Sequence, residues 1–315
     1  MRKSDFKVSV IVPVFNEEGC LLTLVSRVVM VIEKYSDYEI LFIDDGSRDN
    51  TLTVLRKLHA GNKKINFLSF SRNFGHQNAL RAGTLYASGD CIISLDGDLQ
   101  HPPELIPDLI TKWKEGFDIV YTIRKDEKKI PVLKRVMSVL FYKLMNAISD
   151  MNFEHGEADF RLLDKNAAAE LNNLNENAIF FRGMVKWLGF EQIGIEYTPD
   201  DRTWGKTKYS RKKMFALAIS GITSFSIKPL RISTIIGVSI AFLSILYGIY
   251  ALYIKFFTDN SIEGWTSVFF MVTFIGGIQL IILGIIGEYI GNIFLESKKR
   301  PHYIIEEDSL DRRNK

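Results

Sequence analysis

Through the first 121 residues, apolar runs at 8–14, 39–43, 66–69, 91–95 and 119–121 alternate with stretches of helical period such as 19–35 and 50–59. Strands alternating with helices predict an α/β sheet, largely parallel, with its chemistry in the loops at the carboxyl ends of the strands. The last third changes character. Runs at 232–254 and 266–294 are uncharged apart from Glu288, and each reaches the ~20 residues needed to cross hydrocarbon. They predict two membrane helices, against the rival of a helical hairpin buried in a soluble core.

Charge sets the expected orientation. Arg211, Lys212, Lys213, Lys228 and Arg231 precede the first run, and Lys298, Lys299, Arg300, Arg312, Arg313 and Lys315 follow the second, whereas the stretch 255–265 sets one Lys against Asp259 and Glu263. The positive-inside rule places both termini in the cytoplasm and that loop outside. Glu288 lies about two helical turns from the end of its run, which favours an interfacial structural role over a proton relay. Two amphipathic stretches flank this region. Residues 125–143 mix Lys128, Lys129, Lys134 and Arg135 with Val132, Leu133, Val136, Val139 and Leu140, which suits an anionic membrane surface or a lipid phosphate, or else an ordinary solvated face. Residues 214–227 suit an interfacial helix. The expected organisation is a cytoplasmic domain at 1–210, an interfacial helix at 211–231, a membrane hairpin at 232–294 and a cytoplasmic tail at 295–315.

Composition adds little. A formal net charge of +3 does not argue for nucleic acid, and two cysteines, Cys20 and Cys91, read as buried thiols of a reducing compartment. No secretory h-region precedes residue 8, so the first domain is expected to stay in the cytoplasm of a bacterial inner-membrane protein.

Candidate chemistry concentrates in four loops. Asp96-Gly97-Asp98 follows Cys91-Ile92-Ile93, and hard oxygens one residue apart where a strand opens can hold a divalent cation against a diphosphate; a polar turn is the rival. Pro13-Val14-Phe15-Asn16-Glu17-Glu18 forms the first loop. Asp44-Asp45-Gly46-Ser47-Arg48-Asp49-Asn50-Thr51 contains the cap of a helix starting near Thr51; capping needs one acid, which leaves Asp44 for a second function. Ser71-Arg72-Asn73-Phe74-Gly75-His76-Gln77-Asn78 opens a helix whose free N–H groups suit an anion. His76 there reads as a ligand, an acid or a local hydrogen-bond partner.

These segments, with Ala158-Asp159-Phe160-Arg161-Leu162, Arg202-Thr203-Trp204-Gly205-Lys206-Thr207-Lys208-Tyr209 and Gly287-Glu288-Tyr289-Ile290-Gly291 running into Arg300-Pro301, resemble family-two glycosyltransferases of the glycosyltransferase-A fold. Within that family the likeness is to polyprenyl-phosphate (bactoprenol) glucosyltransferases related to dolichol-phosphate mannose synthase. The resemblance implies that Pro13, Phe15, Glu17 and Asp44 hold the nucleoside, and that Asp96 reaches ribose or metal. It implies that Asp98 and Gln100 complete a Mg²⁺ or Mn²⁺ site, and that Arg202 closes over the diphosphate. Arg124, Lys134, Arg135 and Ser138 match the family's acceptor-phosphate set, with Lys134 standing where an Arg is often found. Asp159 is implied as a base or an orienting group, against an ordinary pairing with Arg161 or a nearby Lys.

The expected activity is metal-dependent, inverting transfer of a hexose, glucose from UDP-glucose first, to undecaprenyl or another polyprenyl phosphate. GDP-mannose, UDP-N-acetylglucosamine or a modified arabinose donor would use much the same motifs. A processive polysaccharide synthase would carry a Gln-x-x-Arg-Trp segment and more spans, and a non-enzymatic scaffold would lose the acids; neither pattern is found. A homo-oligomer is left open.

Overall fold

A computed structural model describes residues 5–125, 156–174, 176, 181–198, 227–257 and 264–310. The stretches expected to be amphipathic at 126–143 and 214–226, and with them Lys134, Arg135, Ser138 and Arg202, lie outside the described residues. The strands are β1 (Lys7–Val14), β2 (Asp37–Asp44), β3 (Ile65–Phe70), β4 (Cys91–Ser94), β5 (Ile119–Arg124), β6 (Glu157–Asp164), β7 (Gln192–Tyr197) and β8 (Ile305–Asp308). They form one sheet in the order β7-β5-β6-β4-β1-β2-β3-β8. Four pairings are parallel, β1 with β2 and β4, β2 with β3, and β5 with β7. The other three, which bring in β6 and β8, are antiparallel.

Six helices cover the sheet: α1 (Leu21–Ile32), α2 (Thr51–Gly61), α3 (His76–Tyr86), α4 (Ile106–Glu115), α5 (Lys165–Asn173) and α6 (Phe181–Trp187). Alternation along β1 decides the two layers, because successive side chains leave opposite faces. Val8, Val10, Val12 and Val14 pack with Leu24, Val28 and Ile32 of α1, Leu55 of α2, and Leu109 and Trp113 of α4. Ile11 turns the other way, into a second core with Ala79 and Leu80 of α3, Ala167 and Leu171 of α5, and Met184 of α6. Each such side chain contributes about 1.5–3 kcal/mol when fully buried, and burial on both faces explains why β1, β2 and β4 read as unbroken apolar runs. Both cysteines are buried thiols outside any disulfide, as composition implied.

Register then fixes where the loops emerge. Pro13 lies opposite Ile43 and Val14 opposite Asp44, while Ile11 lies opposite Ser94. Three carboxyl ends therefore open side by side.

Two further helices, α7 (Lys228–Phe257) and α8 (Trp265–Ser297), begin earlier and end later than the apolar runs at 232–254 and 266–294. Both are long and apolar enough to cross a membrane, and their spanning windows are only 6% and 0% buried. That exposure removes the buried soluble hairpin as a rival. Glu288 is exposed, nine residues before the end of α8 at Ser297. Within the segment 295–315, expected as a cytoplasmic tail, Ile305–Asp308 returns to the sheet as β8 beside β3, a strand the apolar pattern did not predict. Ser71 N–H donates to the Ile304 carbonyl at 3.0 Å, Tyr303 stacks on Phe70 at 4.9 Å, and Arg56 grips Glu307 with two bonds of 2.9 and 2.5 Å.

At the opposite end of the strands a buried acid holds the sheet. Glu39 of β2 accepts from Ser9 Oγ at 2.6 Å and from Ser88 N–H at 2.7 Å, with Lys7 Nζ at 3.2 Å. Burial raises its pKa, but the Ser9 and Ser88 bonds and the Lys7 charge outweigh burial and leave it below its ordinary 4.5. A depressed carboxylate contributes stability above its unfolded pKa and loses it as pH falls through the folded one. Glu39→Gln is expected to cost about 1–3 kcal/mol at pH 7. In thermal melts of the full-length protein, the gap to wild type should close as the pH is taken below 4.5, and a gap that widened there would contradict this assignment.

Candidate active site

The loops after β1 and β2 are sewn together by polar groups that the sequence spaces at loop distance. Asn16 N–H donates to Ser47 Oγ at 2.9 Å, Arg48 N–H donates to Asn16 Oδ1 at 2.8 Å, and Glu17 N–H donates to Thr51 Oγ1 at 3.0 Å. Pro13 and Glu17 are buried there and Phe15 is half-buried. Asp44 is 1% exposed; its two oxygens accept from Ser47 N–H at 3.1 Å and Ser69 Oγ at 2.9 Å. The first turn of α2 is served instead by Asp49, whose Oδ1 takes Thr51 N–H at 3.0 Å, so Asp44 is free of the capping task.

Asp45 has a role that spacing did not reveal. Its carboxylate accepts Phe74 N–H at 2.6 Å and Gly75 N–H at 2.9 and 3.1 Å, which pins the loop that opens α3. Burial pushes Asp45 up to about 6 against those two N–H groups, and the neighbouring Asp44 charge adds to the rise. The turn between these acids and Ser47 needs Gly46, at φ +68°, because a Cβ there would sit 2.4 Å from the Arg72 carbonyl carbon.

The Asp96-Gly97-Asp98 loop leaves β4 with both acids half-exposed. Leu99 adopts a left-handed φ of 63°, which costs of order 1–3 kcal/mol for a non-glycine residue. Burial of its side chain in the first core offsets that strain and turns the flanking Asp98 and Gln100 outward. Gln100 N–H closes the turn on Asp98 Oδ1 at 3.2 Å. Asp96 N–H donates to His101 Nδ1 at 3.2 Å, and His101 stacks on Phe160 of β6. An Nδ1 that accepts from an amide cannot also donate to the Asp96 carboxylate 3.6 Å away. His101 therefore holds the backbone of Asp96 rather than its charge.

Across the cleft, Asp159 of β6 is buried yet ionised. Arg182 of α6 donates to both of its oxygens, from Nε at 2.7 Å and Nη2 at 3.0 Å. Arg161, the partner expected from sequence, stands at 3.6 Å. Burial would raise the Asp159 pKa, but the Arg182 charge and then His76 hold it well below the usual carboxylate range. His76 Nε2 lies 3.6 Å from Asp159 and 3.6 Å from Asp96, a charge contact rather than a hydrogen bond. Burial would lower its pKa, and the two carboxylates overcome this and push it up to about 9. Tyr197 of β7 is pushed up to about 12, chiefly by burial, with Arg124, Asp96, Arg182 and Asp98 all acting on the phenol. Arg124 at the end of β5 thus shares the cleft with the acidic loop.

Sequence reasoning placed Pro13, Phe15, Glu17, Asp44, Asp96, Asp98, Gln100, Arg124 and Asp159 about this cleft, and the fold brings their elements to it. It missed Arg182, whose partner lies 23 residues away on another element. Among the described residues no three His, Cys, Asp or Glu side chains gather as a metal centre. The donors on the β4 loop are two carboxylates and an amide, all oxygens. That set fits Mg²⁺ or Mn²⁺, which need only one or two protein carboxylates when substrate phosphates supply the rest.

A mostly parallel mixed sheet with acidic loops at its carboxyl ends is the glycosyltransferase-A fold, and a glycosyl transferase family 2 model matches residues 9–171, more than half of the chain. The chain belongs to glycosyl transferase family 2, and residues 228–293 match the GtrB C-terminal hairpin. It is 41% identical over 302 residues to a "Prophage bactoprenol glucosyl transferase homolog" of Escherichia coli (strain K12), covering 95% of this chain and 98% of that one. It is 41% identical to the "Bactoprenol glucosyl transferase" of Shigella phage SfV, covering 96% and 99%. An uncharacterized glycosyltransferase of Bacillus subtilis (strain 168) is 42% identical, covering 95% and 93%. Among solved structures, mannosyl-3-phosphoglycerate synthase from Rubrobacter xylanophilus matches with a TM-score of 0.48 at 15% identity, over 68% of this chain and 71% of that one.

Gly97 gives the site its sharpest local test. A Cβ at this position would meet Val14 Cγ1 at 2.8 Å and the Pro13 carbonyl at 3.2 Å, so the acidic loop lies directly on the end of β1. Gly97→Ala should lower the melting temperature, because overpacking against Val14 costs about 1–3 kcal/mol, and raise the KM for the sugar donor by about tenfold or more, because a shift of about 1 Å at a site can cost that much. An unchanged donor KM would show that the two loops do not act as one surface.

Proposed function

We propose that this protein transfers a hexose from a nucleotide sugar, glucose from UDP-glucose in the first instance, to a polyprenyl phosphate at the cytoplasmic membrane face. The observation that carries this reading is full-length likeness at 41% identity to bactoprenol glucosyl transferases, hairpin included. The cleft described above supports it. In this reading Pro13, Phe15, Glu17 and Asp44 border the nucleoside and Asp96, Asp98 and Gln100 face the diphosphate, and Arg202, outside the described residues, is assigned to the diphosphate by the family resemblance. The same resemblance assigns the lipid phosphate to Arg124 and, outside the described residues, to Lys134, Arg135 and Ser138. Arg124 is exposed at the cleft rim, where it can meet an acceptor from the bilayer.

A phosphate monoester, with a second pKa near ~6, is largely dianionic at neutral pH. One of its oxygens attacks the anomeric carbon with its own lone pair as the bond from that carbon to the donor diphosphate breaks, which inverts the configuration and releases the nucleoside diphosphate. No proton has to be removed from the nucleophile, and this agrees with Asp159 being paired to Arg182 rather than standing as an open base. A bound divalent cation would neutralise the charge gathering on the leaving diphosphate.

Purified full-length protein given undecaprenyl phosphate and a panel of radiolabelled nucleotide sugars should form a lipid-linked product from UDP-glucose, and excess EDTA should abolish it. Product from GDP-mannose, UDP-N-acetylglucosamine or an arabinose donor instead would reassign the sugar, and full activity in EDTA would remove the metal from the reading. Orientation has its own test. A cysteine replacing Asn260 should react with an impermeant thiol reagent on intact cells and one replacing Asn314 should not; the reverse pattern would overturn the cytoplasmic-face placement.

A further inference from the structure

Arg182 is delivered to the cleft by a rigidly seated helix. Phe181, before it, is 1% exposed in the second core, and its N–H donates to Gln77 Oε1 of α3 at 2.9 Å. One helical turn later Lys186 Nζ meets Glu157 Oε2 at 2.8 Å. Glu157 and Asp159 share a face of β6 at strand spacing, and Arg182 and Lys186 share a face of α6 at helical spacing, so two ion pairs close α6 onto β6. Breaking either leaves a buried carboxylate with only longer contacts, Arg161 at 3.5 Å from Glu157 and at 3.6 Å from Asp159.

From Arg182 the contacts run toward the donor side. Its fork takes both oxygens of Asp159, His76 Nε2 stands 3.6 Å beyond, and Asp96 Oδ1 lies 3.6 Å further from the same nitrogen. The contacts run in one line from α6 through β6 and α3 to the loop after β4. We propose that Arg182 is a positioning residue for transfer: by holding both oxygens of Asp159 it fixes that carboxylate behind His76, and His76 keeps Asp96 turned toward the donor. The inference rests on the transfer reaction proposed above. A fork that makes two parallel bonds fixes orientation as well as charge, which a lysine ammonium does only in part.

The test uses full-length protein in lipid nanodiscs, with Arg182→Gln, Arg182→Lys, Asp159→Asn and the Arg182→Gln/Asp159→Asn double variant. Arg182→Gln and Asp159→Asn are each expected to lower kcat about 10–100-fold with the KM for polyprenyl phosphate within about twofold of wild type. The double variant should be no worse than the weaker single, since both act through one contact, and Arg182→Lys should recover part of the loss. In spectra of histidine-labelled protein, the ring signal assigned by its loss in His76→Gln should move in Arg182→Gln while that of His59 stays. Unchanged kcat with a lowered melting temperature, multiplied losses in the double variant, or a raised acceptor KM at intact kcat would each overturn the assignment. An unmoved His76 signal would overturn it even if wild type transferred no hexose, a result that would by itself refute the transfer reading.

Discussion

Burying β1, β2 and β4 on both faces is the constraint from which the rest follows. A strand covered above and below admits charge along its length only where a partner answers it, as Lys7 answers Glu39, so most charge collects where the strands end. Parallel pairing puts those ends on one edge, and the register sets Val14 level with Asp44. The acids there are then not isolated. Asp44 accepts from Ser47 of its own loop and Ser69 of β3, and Asp45 accepts from Phe74 and Gly75 of the loop before α3, which ties these ends into one rim. A cleft of oxygens on such a rim would be preorganised for the cation-bound diphosphate of the proposed reaction, and preorganisation is the larger part of what such a transfer demands.

How much of this was legible in the sequence depends on whether a residue's partner is local. The runs that became β1 to β5 were visible because their apolar character is continuous, and the two long helices for the same reason. β6 was not. Its residues Glu157, Asp159 and Arg161 alternate with apolar ones, a pattern that ordinarily means one wet face, yet every residue of the strand is buried. The charges are tolerated because Arg182 and Lys186 arrive from a helix two dozen residues on. β8 was hidden by the opposite device. Three acids in four residues do not read as a strand, and it is their charge, answered by Arg56, that suits an edge exposed to solvent.

The buried ion pairs differ in kind from the surface ones. Replacing a buried pair by apolar residues is often neutral or stabilising, so stability alone does not explain Asp159 with Arg182. What apolar residues cannot do is transmit orientation through fixed oxygens. A pair retained at the floor of the cleft, against His76, is better understood as geometry than as adhesion, whereas Arg27 with Glu104 on the surface does no more than brace α1 against the turn before α4.

The membrane hairpin belongs to the same logic. The chain reaches α7 after β7, one edge of the sheet, and returns from α8 to β8, the other edge. Eight strands at about 4.8 Å spacing separate those edges by roughly 34 Å. Of the two connections the described one is short, running from the end of α8 at Ser297 to Ile305 of β8. Tyr303 stacks on Phe70, Phe70 packs edge-on to Phe74, and the Phe74 N–H is bound by Asp45. The second attachment therefore bears on the very loop that opens α3 and carries His76. The return of the chain from α8 thus reaches the cleft through one packed aromatic line and one carboxylate, which couples the edge strand to the loop before His76.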